Sequence, residues 1–241
     1  YETGQPAAAH LEAALRAGMH AITANKGPVV HAYGALRALA QEQKRKFFFE
    51  GTVMDGAPIF SLFREALPGA RLLGFRGVLN STTNLILTLM EQGKSFDEAV
   101  AYAQQIGIAE TDPSGDIDGW DAAVKVAALA TVLMDTPFKP QQVDRQGIRE
   151  ISPEMIASAI ELGGRWKLVC SAIRHGDGVQ ATVRPEIVMA DSPMYRVDGT
   201  TSILQIESDV LGLLSVIEEN PGPHTTAYGL LADFINAVGS H

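Results

Sequence analysis

The first fifty residues alternate between two hydrophobic rhythms. In "PAAAHLEAALRAG" (6–18), Leu11 and Leu15 stand four apart, which keeps them on one helical face, and Gly18 suits the helix end. "MHAITA" (19–24) is a short apolar run that predicts a buried strand. "HAYGALRALAQEQKRK" (31–46) predicts a second amphipathic helix, with basic residues in its last turns where they complement the dipole. "FFFEGTV" (47–53) predicts a second strand. Helices alternating with short apolar strands imply parallel βαβ units, as in the later part of a nucleotide-binding sheet.

The rhythm then changes. "APIFSLFREAL" (57–67) predicts a helix and "RLLGFRGVL" (71–79) a strand. Three helices follow, over 81–92, 96–106 and 117–134, and Ser95 with Glu98 forms a capping-box pattern at the second. Another helix is expected at 153–163. Strand-like runs occupy 165–174, 179–188, 201–208 and 212–219, with "HGDG" (175–178) as a turn between the first two. A helix at 224–238 comes last; Pro221 and Pro223 precede it, and Thr225 or Thr226 is placed to cap it. The expected fold class is α/β. No strand followed by G-x-G-x-x-G opens the sequence, so an absent N-terminal piece is expected; a small domain that never had one is the alternative.

Composition narrows the function classes. At 46% hydrophobic and 20% charged, with a net charge of −9, the sequence is that of an ordinary globular protein. Its basic residues are scattered apart from "QKRK" (43–46), which argues against a nucleic-acid or anionic-membrane surface. No apolar run reaches bilayer-spanning length and no signal-peptide pattern opens the chain. The single cysteine, Cys170 in "WKLVCSAI", reads as a small core residue of a strand, and a cytosolic protein is the expectation.

The chemistry concentrates in "GIAETDPSGDIDGWDAAVKVAALA" (107–130). Asp116 or Asp118 is a good N-cap for the helix that follows. Asp121 and Lys125 stand one turn apart on one face, among Val124, Ala127, Ala128 and Leu129. Burial would lower the lysine's pKa and the carboxylate would raise it, a balance that could bring proton exchange near neutral pH. A plain surface ion pair also fits that spacing. A calcium loop does not: aligning Asp116, Asp118 and Gly119 to its third, fifth and sixth positions puts Lys125 where a bidentate glutamate is required. Two further clusters add to the case. Lys26 in "TANKG" follows a predicted strand, where open α/β sheets bind ligands. Asn80 to Asn84 in "GVLNSTTNLIL" set a polar run at a helix start that could hold an anionic or hydroxylated small molecule.

The ordered series "AGMHAITANKG", "FFFEGTVMDGAPI", "GVLNSTTNLIL", "GIAETDPSGDIDGWDAAVK" and "TTAYGLLADFI" resembles the homoserine dehydrogenases over nearly the whole chain. That resemblance implies the reversible reduction of aspartate 4-semialdehyde to homoserine with NADPH or NADH, on the route to threonine, methionine and isoleucine. It implies the C-terminal part of a Rossmann-like nucleotide-binding region at 1–48, rejoined by the helix 224–238. An α+β catalytic and dimerisation domain with a mixed sheet would then occupy 49–223. Lys125 would be the general acid/base and Lys26 the second lysine of the proton path, with Asn25 and Lys26 beside the cofactor. Glu110, Asp116 and Asp121 would bind the substrate's amino group, and Thr82 and Ser81 would line its site. Backbone carbonyls of Glu50, Val53, Asp55 and Ala57 would hold a sodium ion, and the protein would be a homodimer. Two lysines facing one site would also lower each other's pKa.

Three departures from the family pattern stand out. Ser81 replaces the usual glycine of the polar run, so a side chain sits where backbone would approach ligand. Met54 and Asp55 occupy a loop that is usually small and glycine-rich. The glycine-rich pyrophosphate loop is not in the sequence, so this chain alone is expected to bind cofactor poorly. Two alternatives follow: a related dehydrogenase for another amino-alcohol, or a non-catalytic dimerising fragment.

Overall fold

The computed structural model describes residues 3–176 and 178–239. β1 (Ala21–Ile22) and β2 (Phe47–Phe48) pair in parallel, as the alternating pattern predicts. α1 (Ala7–Arg16) precedes them, and α2 (Lys26–His31) and α3 (Tyr33–Glu42) lie between them. Leu15 of α1, Ala21, and Leu36 and Leu39 of α3 close a small core.

Three expectations for this region need correction. α2 is an additional helix, started by Asn25, whose side chain accepts the Gly27 N–H at 2.9 Å. α3 ends at Glu42, and Lys44 takes a left-handed φ of 52°. The basic residues therefore trail beyond the helix, and the Arg45 guanidinium donates to the Gly18 carbonyl instead of serving the dipole. β2 stops after two residues because Glu50 turns inward. Its buried carboxylate accepts the Phe60 and Ser61 amides at 2.6 and 2.8 Å, and residues 50–52 coil into one tight helical turn.

α4 (Ile59–Ser61) runs on as a wider turn over Leu62–Ala66. A six-stranded sheet follows, from β3 (Leu72–Val78), β4 (Asp144–Arg145), β5 (Gly164–His175), β6 (Gly178–Met189), β7 (Ser202–Ser208) and β8 (Gly212–Glu218). Its order is β4-β6-β5-β3-β7-β8, antiparallel except for the β4–β6 pair, so the sheet is mixed as expected. β5 and β6 pair up to His175 and Gly178; Asp177 of the predicted turn lies outside the described residues. Cys170 is a buried core residue of β5, and burial pushes its thiol up to about 12.

Helices α5 (Ser81–Glu91), α6 (Phe96–Gln105), α7 (Ser114–Ile117), α8 (Trp120–Leu133) and α9 (Pro153–Glu161) fill the connections. α5, α8 and α9 pack against β5. The Ser95–Glu98 capping box is present at the start of α6. On α8 the residues Ala122 to Val124 and Val126 to Thr131 are all buried, so small side chains let the helix sit deep. α10 (Pro223–Val238) packs on residues 50–52 and on β1. Gly56 makes that approach possible, since a Cβ there would overlap the Thr225 carbonyl oxygen. Neither threonine caps α10 from outside: Thr225 lies within the first turn, its hydroxyl accepting the Gly222 N–H at 3.1 Å, and Thr226 donates to Asp55 at 2.9 Å.

Candidate active site

The predicted helix over 117–134 is broken at Gly119, whose φ of 79° separates α7 from α8. The break overturns the capping role given to Asp116 or Asp118, because Gly119 itself takes the position before α8. Asp118 turns to Arg149, with an Nη2 contact at 3.1 Å, while Asp112 remains a turn former that accepts the Ser114 N–H at 3.0 Å. Asp116 is freed to point at the start of α5.

Asp121 and Lys125 are the polar positions amid the buried run of α8, and they face one way. Lys125 Nζ donates to the Leu79 carbonyl at the end of β3 (2.6 Å) and pairs with Asp121 Oδ2 at 3.3 Å. Lys26 Nζ reaches the other oxygen, Asp121 Oδ1, at 3.2 Å. Asp121 thus separates two cations. Burial alone would raise its pKa, but Lys125 and Lys26 outweigh that and hold the carboxyl well below the usual range.

Asn80 organises the remaining acids. Its Nδ2 donates to Asp116 Oδ1 at 2.7 Å and to Asp121 Oδ2 at 3.0 Å, bridging two carboxylates that would otherwise repel. Its Oδ1 caps α5 through the Thr83 N–H at 2.8 Å. Burial and the neighbouring Asp121 raise the Asp116 carboxyl, partly offset by hydrogen bonds from Asn80 and Thr82. The polar run 80–84 therefore divides: Asn80, Ser81 and Thr82 line the cleft, while Thr83 donates to the Asn80 cap and Asn84 turns away to the backbone around 197–201.

The cleft has a volume of about 340 Å³. Glu110, Asp116, Asp121 and Lys125 form its charged side, with Asp55, Thr200 and Pro221 to Pro223 across from the α5 start. Lys26 lines a neighbouring cleft of about 540 Å³, with Gly4, Asn25, Gly27 and Val124, at the carboxyl end of β1. The two lysines meet on one carboxylate, Asp121, each from its own side. Burial lowers the Lys125 pKa, but Asp121 and Asp55 more than restore it, so it ends raised. That corrects the expectation of a lysine near neutrality.

Met54 is buried and takes no part in the cleft, whereas Asp55 and Ser81 do. Sequence reasoning missed the Leu79 carbonyl and the walls at Thr200 and Thr226. Asn80 stood in the polar run read as a possible ligand site, but its bridge between Asp116 and Asp121 was not visible in the sequence.

Two family descriptions match the chain: the homoserine dehydrogenase NAD binding domain over residues 3–50 and homoserine dehydrogenase over residues 58–235. An NAD(+)-dependent homoserine dehydrogenase of Pseudomonas canavaninivorans is 38% identical across 97% of this chain and 66% of its own length. A homoserine dehydrogenase of Sulfurisphaera tokodaii is 37% identical across 98% of this chain and 73% of its own. Among solved structures, a homoserine dehydrogenase from Thiobacillus denitrificans superposes with a TM-score of 0.90 at 32% identity, covering 97% of this chain and 54% of that one. A hyperthermophilic archaeal homoserine dehydrogenase in complex with NADPH gives 0.83 at 33% identity, covering 96% and 67%. The chain therefore spans between about half and three quarters of the length of these relatives. Fold and likeness place the chain in a class of NAD(P)-dependent oxidoreductases. The chain belongs to the homoserine dehydrogenase family.

Proposed function

We propose that the protein interconverts aspartate 4-semialdehyde and homoserine in amino-acid biosynthesis, with Lys125 as the group that moves the proton. The observation that carries this reading is the partly buried Lys125 head, held by the Leu79 carbonyl and Asp121 at the edge of a cleft rimmed by Glu110 and Asp116. An ammonium has three N–H donors. Two are directed by these partners, which leaves the third for a substrate oxygen in the cleft. In reduction, charged Lys125 stabilises the developing alkoxide and delivers its proton. Glu110 and Asp116 are placed to receive the substrate's ammonium, and Thr82 offers a hydroxyl beside them. Lys26 holds Asp121 from the far side and so keeps the Asp121–Lys125 pair oriented.

The nicotinamide cofactor supplies or accepts the hydride. The cleft of Gly4, Asn25, Lys26 and Gly27 fits its reactive end: it opens at the carboxyl end of a parallel strand and adjoins the substrate cleft through Asp121. Asn25 serves it indirectly, since its side chain is taken up by capping α2. A sodium ion on the carbonyls of Glu50, Val53, Asp55 and Ala57 belongs to the same reading. The loop's tight return onto the Met54 carbonyl supports it, and Ala57 fits least, because its carbonyl already accepts the Ile59 amide at 2.8 Å. A homodimer is the remaining part, supported by exposed Leu213 and Ile217 on β8 and Leu211 in the turn before it.

Lys125→Ala in the whole protein is expected to abolish homoserine oxidation while leaving the circular dichroism spectrum unchanged. Normal turnover by that variant removes the mechanism. A second reading, a dehydrogenase for a related amino-alcohol, is favoured by Asp55 and Ser81 in the cleft wall. A substrate panel separates the two: a higher kcat/KM for another amino-alcohol than for homoserine selects the second.

A further inference from the structure

Lys167 is completely buried, and no fully buried side chain described here is larger. A lysine in such a place is costly unless each donor is met. Its Nζ donates to Asn84 Oδ1 at 2.9 Å and to the Val197 carbonyl at 2.6 Å, with the Asp198 carboxylate at 3.9 Å. Arg165, next on the same face of β5, pairs with Asp198 and with Glu91 of α5. Burial and the Arg165 charge lower the Lys167 pKa to about 8, against the pull of Glu91 and Asp198.

What this lysine secures is the direction of one amide. Asn84 Nδ2 faces three carbonyls of a single loop: Val197 at 3.3 Å, Gly199 at 3.1 Å and Thr201 at 3.2 Å. The Thr88 hydroxyl accepts the Gly199 N–H at 3.2 Å and ties the same loop to α5. Reversing the Asn84 amide would set its oxygen against three carbonyl oxygens. A donor on Oδ1 forbids that reversal, and Lys167 provides it. The loop so held carries Thr200 into the wall of the substrate cleft, beside Ser81 and Thr82.

We infer that Lys167 is a positioning residue for the substrate cleft: through the Asn84 amide it fixes the 197–201 loop, and with it the Thr200 wall. The inference rests on the homoserine dehydrogenase reading for the identity of the substrate.

Lys167→Met keeps the apolar stem and removes the donors. In the whole protein, KM for homoserine is expected to rise about tenfold with kcat within about twofold, the signature of lost binding and not of lost chemistry. The Gly199 and Thr201 amides should exchange with deuterium about tenfold faster, with β5 and β6 unchanged. Unchanged exchange in the loop overturns the inference, as does an unchanged KM beside faster exchange. Should Lys167→Met not fold, Asn84→Asp keeps a partner for Lys167 while setting an acceptor against the loop carbonyls, and the same pattern is expected. Thr200→Gly, at a half-buried loop position, tests the wall itself: an unchanged KM overturns the inference. A wild-type protein that does not turn over homoserine defeats the functional reading instead, and loop exchange then decides the clamp by itself.

Discussion

At the scale of single residues, the mechanism proposed above makes the charge state of Lys125 set the direction in which the site works unaided. Burial lowers its pKa, but Asp121 and Asp55 more than compensate, so it stays protonated well into the alkaline range. Reduction needs that proton; oxidation needs the neutral amine. The neutral fraction grows tenfold per pH unit below the pKa, so log kcat/KM for homoserine oxidation should rise with a slope of about 1 through the alkaline range. A flat oxidative profile above neutrality would exclude Lys125 as the base. Asp55→Asn removes one charge that raises the pKa, so the oxidative limb should move to lower pH; an unmoved limb would show that Asp55 faces solvent electrostatically. Asp121 and Lys125 were legible in the sequence because a polar pair one turn apart stands out in an apolar helix. The Asn80 bridge was not: joining Asp116 and Asp121 depends on bringing residue 80 against residues 116 and 121, and no local pattern encodes that approach. Lys167 was hidden for a related reason, since an alternating strand assigns it to a face without revealing that the face is covered.

At the scale of elements, local rules served best where the chain obeys only local forces. The Ser95–Glu98 box is present in full, with the Ser95 N–H donating to Glu98 at 2.8 Å and the Glu98 N–H to the Ser95 hydroxyl at 3.3 Å. Ser95→Ala is expected to cost about 1 kcal/mol in urea unfolding. A loss near zero would mean that α6 is held by packing of Ala99 and Ala103 alone. Elements were misjudged where a distant partner intervenes. The run at 47–53 is apolar enough for a strand, yet the Glu50 carboxylate captures two amides ten residues on and ends it. Continuous helical periodicity at 117–134 likewise concealed the left-handed turn at Gly119, which lets Asp116 face the cleft while Asp118 pairs on the outside with Arg149.

Across the whole molecule, the strand runs of β5 to β8 were legible in the sequence, but the mixed sheet came only from the family resemblance, since its one parallel pair involves β4, a two-residue strand with no pattern of its own. The partner of the β8 edge could not be read that way. Leu213 is 64% exposed and Ile217 49% on a strand with one free side among the described residues. If that edge belongs to the homodimer, Leu213→Lys should shift the sedimentation coefficient toward a monomer; an unchanged dimer would place the interface elsewhere.

The docking of α10 has a consequence in time. Asp55, on the loop under this helix, accepts from Thr226, and both line a cleft whose Lys125 lies about a hundred residues earlier in the chain than that threonine. On the ribosome, Lys125 and Asp121 emerge long before the wall that encloses them. The cleft around that charged pair is therefore complete only after residues 221–226 have been made and docked.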